Sequence, residues 1–149
     1  MRARETAGAK PPTLVYLVGR VSQGVRRELR RRLEPFGLSV PELTALSVLQ
    51  RRPGLSNAQL ARRSMITPQS MNDVVAALER RGLMERRGDP AHRGILRARL
   101  TPAGRRLLRA VEPVVEGLQE EVLADVPEGE REVVVRALLS AMARLSGGD

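Results

Sequence analysis

Apolar residues recur at helical spacing over most of this chain. From Thr13 to Leu33, the residues Leu14, Leu17, Val18, Val21, Val25, Leu29 and Leu33 fall three or four apart and predict one helix with one apolar stripe. Pro35 and Gly37 stop it. A second helix is expected from Ser39, where Ser39 and Glu42 form a capping box and Leu43, Leu46 and Leu49 carry the stripe to Pro53-Gly54. A short third helix starts at Ser56, with Gln59 in the same capping relation and Leu60 and Ala61 facing inward. Thr67-Pro68 opens a fourth, with threonine as N-cap and proline in the first helical position. Met71, Val74, Val75 and Leu78 form its buried stripe, and Gly82 follows its end.

The period then changes. Leu83 to Arg87 reads as a short extended segment and Gly88 to Gly94 as a turn-rich loop. In Ile95 to Leu100, the residues Leu96, Ala98 and Leu100 alternate with Ile95, Arg97 and Arg99, the pattern of a half-buried strand. Together these predict a β-hairpin with a long basic tip. Thr101-Pro102 starts a fifth helix, with Leu107, Leu108, Val111, Val114, Val115, Leu118 and Val122 on its stripe and Pro113 expected to kink or split it. A sixth is expected after Asp125 as cap, with Glu128 three residues on and Val134, Leu138, Met142 and Leu145 on its stripe. The fold class is therefore mostly α with a small β-hairpin wing: a winged helix-turn-helix over 38–101. It is flanked by terminal helices at 13–34 and 102–147, all within a single domain, 13–149, behind a loose tail, 1–12.

Charge sharpens this picture. Residues 51–109 hold 14 basic and 4 acidic side chains, whereas residues 110–149 hold 3 basic and 9 acidic. A basic composition that served solubility alone would not reverse sign at position 110, so the middle of the chain is the candidate polyanion surface. The absence of cysteine excludes a disulfide framework, a zinc finger and a thiolate nucleophile. Tyr16 and Phe36 are the only aromatics, too few for a single-strand stacking platform. No apolar run approaches the roughly 20 residues of a membrane span, no secretory signal is evident, and a cytoplasmic location is expected. No nucleophile and base stand in a catalytic arrangement, and no metal or cofactor is implied.

In a helix-turn-helix the second helix enters the major groove and its first residues meet base edges. Here those residues are Thr67, Gln69, Ser70, Asn72 and Asp73. Gln69 and Asn72 can each pair with adenine through two bonds, Ser70 can serve base or phosphate, and Asp73 can accept from cytosine or brace an arginine. Ser56, at the start of the preceding helix, and Arg87, Arg93 and Arg97, on the hairpin, complete the candidate DNA-binding set. His92, the lone histidine, reads as a solvated loop residue.

The stretch GLSVPELTALSVLQRRPGLSNAQLARRSMITPQSMNDVVAALERRGLMERRGDP and the wing behind it resemble the MarR family of winged-helix transcription regulators, from about Leu14 to the C-terminus. The family's wing signature is D-x-R, five residues, then L-T. Leu100-Thr101 matches its end, but His92 stands at the aspartate position and Gly94 at the arginine position, with Arg93 between them as the wing-tip arginine. Asp73 departs too, because many members have a basic residue there. The resemblance implies a homodimer built through the terminal helices and a ligand-responsive repressor on a pseudo-palindromic operator in double-stranded DNA. It also implies a small-molecule effector held between the dimer helices and the DNA-binding lobe, which makes Tyr16, Arg20 and Phe36 pocket candidates, although core packing is the stronger reading for both aromatics. The terminal stripes support pairing independently, since a lone winged-helix module could not cover them. The rival reading is an architectural protein that coats DNA with little sequence preference; the two differ in specificity ratio.

Overall fold

A computed structural model describes residues 10–146. The chain falls into two compact units that meet between Val111 and Glu112. The first unit runs α1 (Leu14–Leu33), one 3₁₀ turn (Glu34–Phe36), α2 (Val40–Arg51), α3 (Asn57–Arg63), α4 (Pro68–Arg80), β1 (Met84–Asp89) and β2 (His92–Leu100). Helix α5 (Pro102–Val122) begins in this unit and ends in the second, which also holds α6 (Glu128–Leu145). This is the mostly helical winged helix-turn-helix that the pattern implied. Of the 1–12 tail, residues 1–9 lie outside the described residues, as do 147–149.

The local signals act as read. Thr13 caps α1, and Ser39 and Ser56 each form a complete reciprocal capping box, with Glu42 and Gln59. Thr67 caps α4 through the Ser70 amide. Gly37 and Gly82 take the left-handed conformation that ends a helix, which costs glycine no Cβ clash. The side chains of Leu33, Leu46, Leu49, Leu60, Met71, Val75 and Leu78 are fully buried in one core, which Leu38, Leu55, Met84, Ala98 and Leu100 extend under the hairpin. Leu55 forms a bridge to Ala98, so β2 is pinned to the segment between α2 and α3 by bonds of 2.8 Å and 2.9 Å.

Three expectations are corrected, and a fourth, that Pro113 kinks or splits α5, is narrowed. The hairpin tip is short, not long: β1 reaches Asp89 and β2 starts at His92, leaving Pro90-Ala91 between them. The reason is Asp89, whose carboxylate accepts from the Ala91 amide and closes the turn. Asp125 does not cap α6; Pro127 occupies that position without a side-chain bond. Pro113 lies inside α5 without splitting it. Tyr16 is exposed rather than packed in the core, whereas Phe36 packs against it. The α1 stripe is likewise mostly uncovered: Leu14, Leu17, Val18 and Val21 are exposed, and only Leu33 is buried.

In the second unit, Leu118 and Leu123 are buried. Arg131 ties the turn together, donating to Glu120 at 2.6 Å and to the carbonyls of Val126 and Leu123. Helix α6 buries none of its residues, and Leu138, Leu139, Met142 and Leu145 are exposed.

Where α5 leaves the hairpin, Thr101 donates its hydroxyl to Gly82 O at 2.6 Å and its amide to Leu83 O. That docking brings Gly104 so close that a Cβ there would lie 2.0 Å from Leu83 O. Helix propensity alone would make Gly104→Ala stabilising by about 1 kcal/mol. The backbone contact reverses the sign, and a loss of about 1–3 kcal/mol is expected in a urea titration.

Candidate nucleic-acid interface

The first turns of α4 are polar on one side because the other side is sealed in the core. Met71, Val75 and Leu78 are at most 1% exposed, whereas Gln69, Ser70, Asn72 and Asp73 face solvent. Two candidates are partly consumed by structure. Ser56 is half-buried and its hydroxyl accepts from the Gln59 amide. Thr67 accepts from the Ser70 amide and donates to Ser70 Oγ at 3.0 Å. Asn72 has a partner the sequence did not announce: Asn57, on α3, donates its side-chain amide to Asn72 Oδ1 at 2.8 Å.

The hairpin carries the cationic candidates. Arg87 is exposed and pairs with Glu85 at 2.9 Å. Arg93 is exposed near the start of β2. Arg97 differs from both. Its guanidinium donates to Asp89 Oδ2 at 2.8 Å and 3.0 Å, to Gln59 Oε1 at 3.3 Å and to Gly54 O at 3.4 Å, and its side chain is only 29% exposed. It clamps the wing to the N-terminus of α3, and a phosphate would have to compete with a carboxylate for it. Asp89 also accepts from His92, so His92 is tied into the turn rather than merely solvated.

The Arg97 bond, then the Ala91 amide, hold the Asp89 carboxyl down from 3.8 to about 2. Sequence reading missed Asp89 and Asn57. A carboxylate isolated in a basic hairpin was the available signal for the first; nothing in the spacing pointed to the second. Among the described residues, no cluster of histidine and carboxylates could hold a metal, and no helix is long and apolar enough to cross a membrane.

Comparison with known proteins fits this geometry. The family model described as MarR family matches residues 36–93. The solved structure of the MarR family protein Rv2887 of Mycobacterium tuberculosis, in complex with salicylic acid, is 36% identical; the match covers 89% of this chain and 98% of that one, with a TM-score of 0.73. The chain belongs to the MarR family. Rv2887 has also been solved in complex with DNA, at 36% identity, 88% and 98% coverage and a TM-score of 0.74. The same protein is described as an HTH-type transcriptional repressor; sequence alignment gives 45% identity over 73 residues, 49% of this chain and about half the length of the curated relatives it matches. The transcriptional regulator BldR of Sulfolobus solfataricus is 28% identical, with 89% and 94% coverage and a TM-score of 0.80. Membership makes this MarR protein a transcription regulator and not an enzyme.

The lowered carboxyl of Asp89 fixes a pH window. A depressed folded-state value contributes stability above the ordinary 3.8 and loses it as pH falls toward about 2. The wing clamp of this MarR protein is therefore expected to be constant near neutrality. NMR titration of the Asp89 carboxyl should show a midpoint at about 2, moving back toward 3.8 in Arg97→Ala. An unchanged midpoint in that variant would mean that Arg97 is not the group holding the carboxylate.

Proposed function

We propose that this MarR protein is a ligand-responsive repressor that binds a pseudo-palindromic operator as a homodimer in the cytoplasm. Helix α4 reads base edges with Gln69, Asn72 and Asp73, while Ser70, Thr67 and Ser56 lie toward the phosphates. Arg93 enters the minor groove and Arg87 meets the backbone. Arg97 acts chiefly by fixing the wing. The observation that carries this reading is the sealed apolar face of α4, which leaves hydrogen-bonding side chains and no cation outward in its first two turns, inside a strongly basic stretch. Side chains without positive charge contribute little to nonspecific attraction, so a surface of this kind favours a sequence reader over an architectural coat.

The homodimer is supported by the apolar residues of α1 and α6. An 18-residue helix that buries none of its side chains in its own chain is marginal in water. A second copy covering Leu138, Leu139 and Met142, together with the exposed α1 stripe, accounts for both helices. Residues 13–34 and 102–147 are thus proposed as the dimerisation arms of one domain, 13–149. The effector is proposed from the relative solved with salicylic acid, and an aromatic carboxylate is the probe of choice.

Two measurements test this. Sedimentation should give a dimer at micromolar concentration, and Leu138→Glu together with Met142→Glu should give a folded monomer; a monomeric wild type would remove the dimer. On DNA, Gln69→Ala is expected to cost about 1–3 kcal/mol on the selected operator, with little change on random duplex and an unchanged salt slope. Arg93→Ala should weaken both duplexes and flatten the slope by about one. Equal behaviour of the two variants would favour the architectural reading.

A further inference from the structure

Asn57 and Asn72 meet across the helix-turn-helix, and the chemistry of their contact fixes which way each amide faces. Asn57 Nδ2 lies 3.3 Å from Pro68 O and 2.8 Å from Asn72 Oδ1. The Pro68 carbonyl can only accept, so the Asn57 group facing it must be its NH₂. That same NH₂ faces Asn72, so the Asn72 atom there must be its oxygen. Asn57 holds this setting although its own Oδ1 is buried without a hydrogen-bond partner among the described residues. Rotating the amide would put that oxygen against the Pro68 carbonyl, which can only accept, and leave an NH₂ unpaired in the buried position, which is worse than leaving the oxygen unpaired. Asn72 is exposed, and its NH₂ is the end left to face outward.

We propose that Asn57 is a positioning residue that presents Asn72 to DNA as a hydrogen-bond donor, so that α4 selects acceptor-bearing base edges and rejects cytosine where Asn72 lands. The inference rests on the reading of α4 as the base-contacting helix. A free asparagine pairs with adenine by accepting from N6 while donating to N7. With its oxygen turned to Asn57, Asn72 keeps only the donor half of that pair. Guanine, with O6 and N7 side by side, offers it two acceptors, thymine offers O4, and cytosine offers only a donor. The two-bond adenine contact expected from the sequence is therefore replaced by a donor contact that favours guanine.

The test is selection from a randomised duplex library by the full-length protein, with the bound pool sequenced. Wild type should enrich guanine over cytosine about five- to tenfold at one position per half-site, the effect of a single directional bond. In Asn57→Asp the introduced carboxylate can only accept, so Asn72 must turn its NH₂ inward and present its oxygen. Preference at that position should invert toward cytosine and adenine. The new carboxylate meets the Pro68 carbonyl unfavourably, a cost that its place in the first turn of a helix partly offsets. Asn57→Ala frees the amide, and adenine should join guanine; this variant carries the test should the first fail to fold. Asn72→Ala should flatten preference at that position alone. If Asn72→Ala flattens it while both Asn57 variants keep the wild-type preference, the positioning role is overturned and base reading stands. If Asn72→Ala changes no preference anywhere, base reading by Asn72 fails and this inference fails with it.

Discussion

The structure depends on the burial of one side of α4. Met71, Val75 and Leu78 insert into the same core as Leu33, Leu46, Leu49 and Leu60. Each full burial is worth about 1.5–3 kcal/mol. A helix advances 100° per residue, so rolling α4 by one position would withdraw these side chains and expose them. Burial therefore sets the rotation of the helix, and the rotation sets which residues face outward. Gln69, Asn72 and Asp73 face solvent because their neighbours cannot. The Thr67 cap and Pro68 then fix where the helix begins, and so how far these side chains sit from its N-terminus.

The wing obeys a different constraint. A two-stranded hairpin is marginal by itself. This one is held by Met84, Ala98 and Leu100 in the core and by the bonds that join Ala98 to Gly54 and Leu55. Its register places Arg87 directly opposite Arg97, an unfavourable pairing of like charges. Asp89 relieves it by taking Arg97, and Glu85 takes Arg87. The irregularity between Gly88 and Asp89 is of the kind that re-aims a side chain. The family's wing signature places its carboxylate at the position of His92, but in this chain Asp89 supplies the carboxylate, three residues earlier.

The sequence made the helices legible because their signals are local. Stripe, cap box and terminal glycine are all written within a few residues, and the elements from Thr13 to Gly82 lie where those signals put them. The failures have separate causes. The hairpin tip reads as long because in sequence Asp89 is one more loop residue, whereas its carboxylate closes the turn on the Ala91 amide and holds Arg97, eight residues on. Pro113 was expected to kink or split α5, and the helix runs through it unsplit. The cap of α6 was assigned to Asp125 by spacing, but Pro127 sets the start. The candidate site divides the same way: that α4 faces outward was legible from its stripe, whereas the Asn57 partner of Asn72 is fifteen residues away and visible only once the turn is folded.

The sign of the charge and the organisation of the chain change at nearly the same place. Net positive charge ends at about residue 110, and the boundary between the two compact units falls after Val111. A polyanion attracts the first unit and repels the second. The second unit is also where apolar side chains remain uncovered along a whole helix. Acidic side chains flanking an apolar face discourage nucleic acid from that face. The cation-free first turns of α4 add the third component. On the function proposed above, long-range attraction comes from the arginines and gives no sequence information, while discrimination comes from the outward side chains of α4. Affinity and specificity would thus be carried by different residues, and the direction of one amide, held by Asn57, would alter the second while leaving the charge untouched.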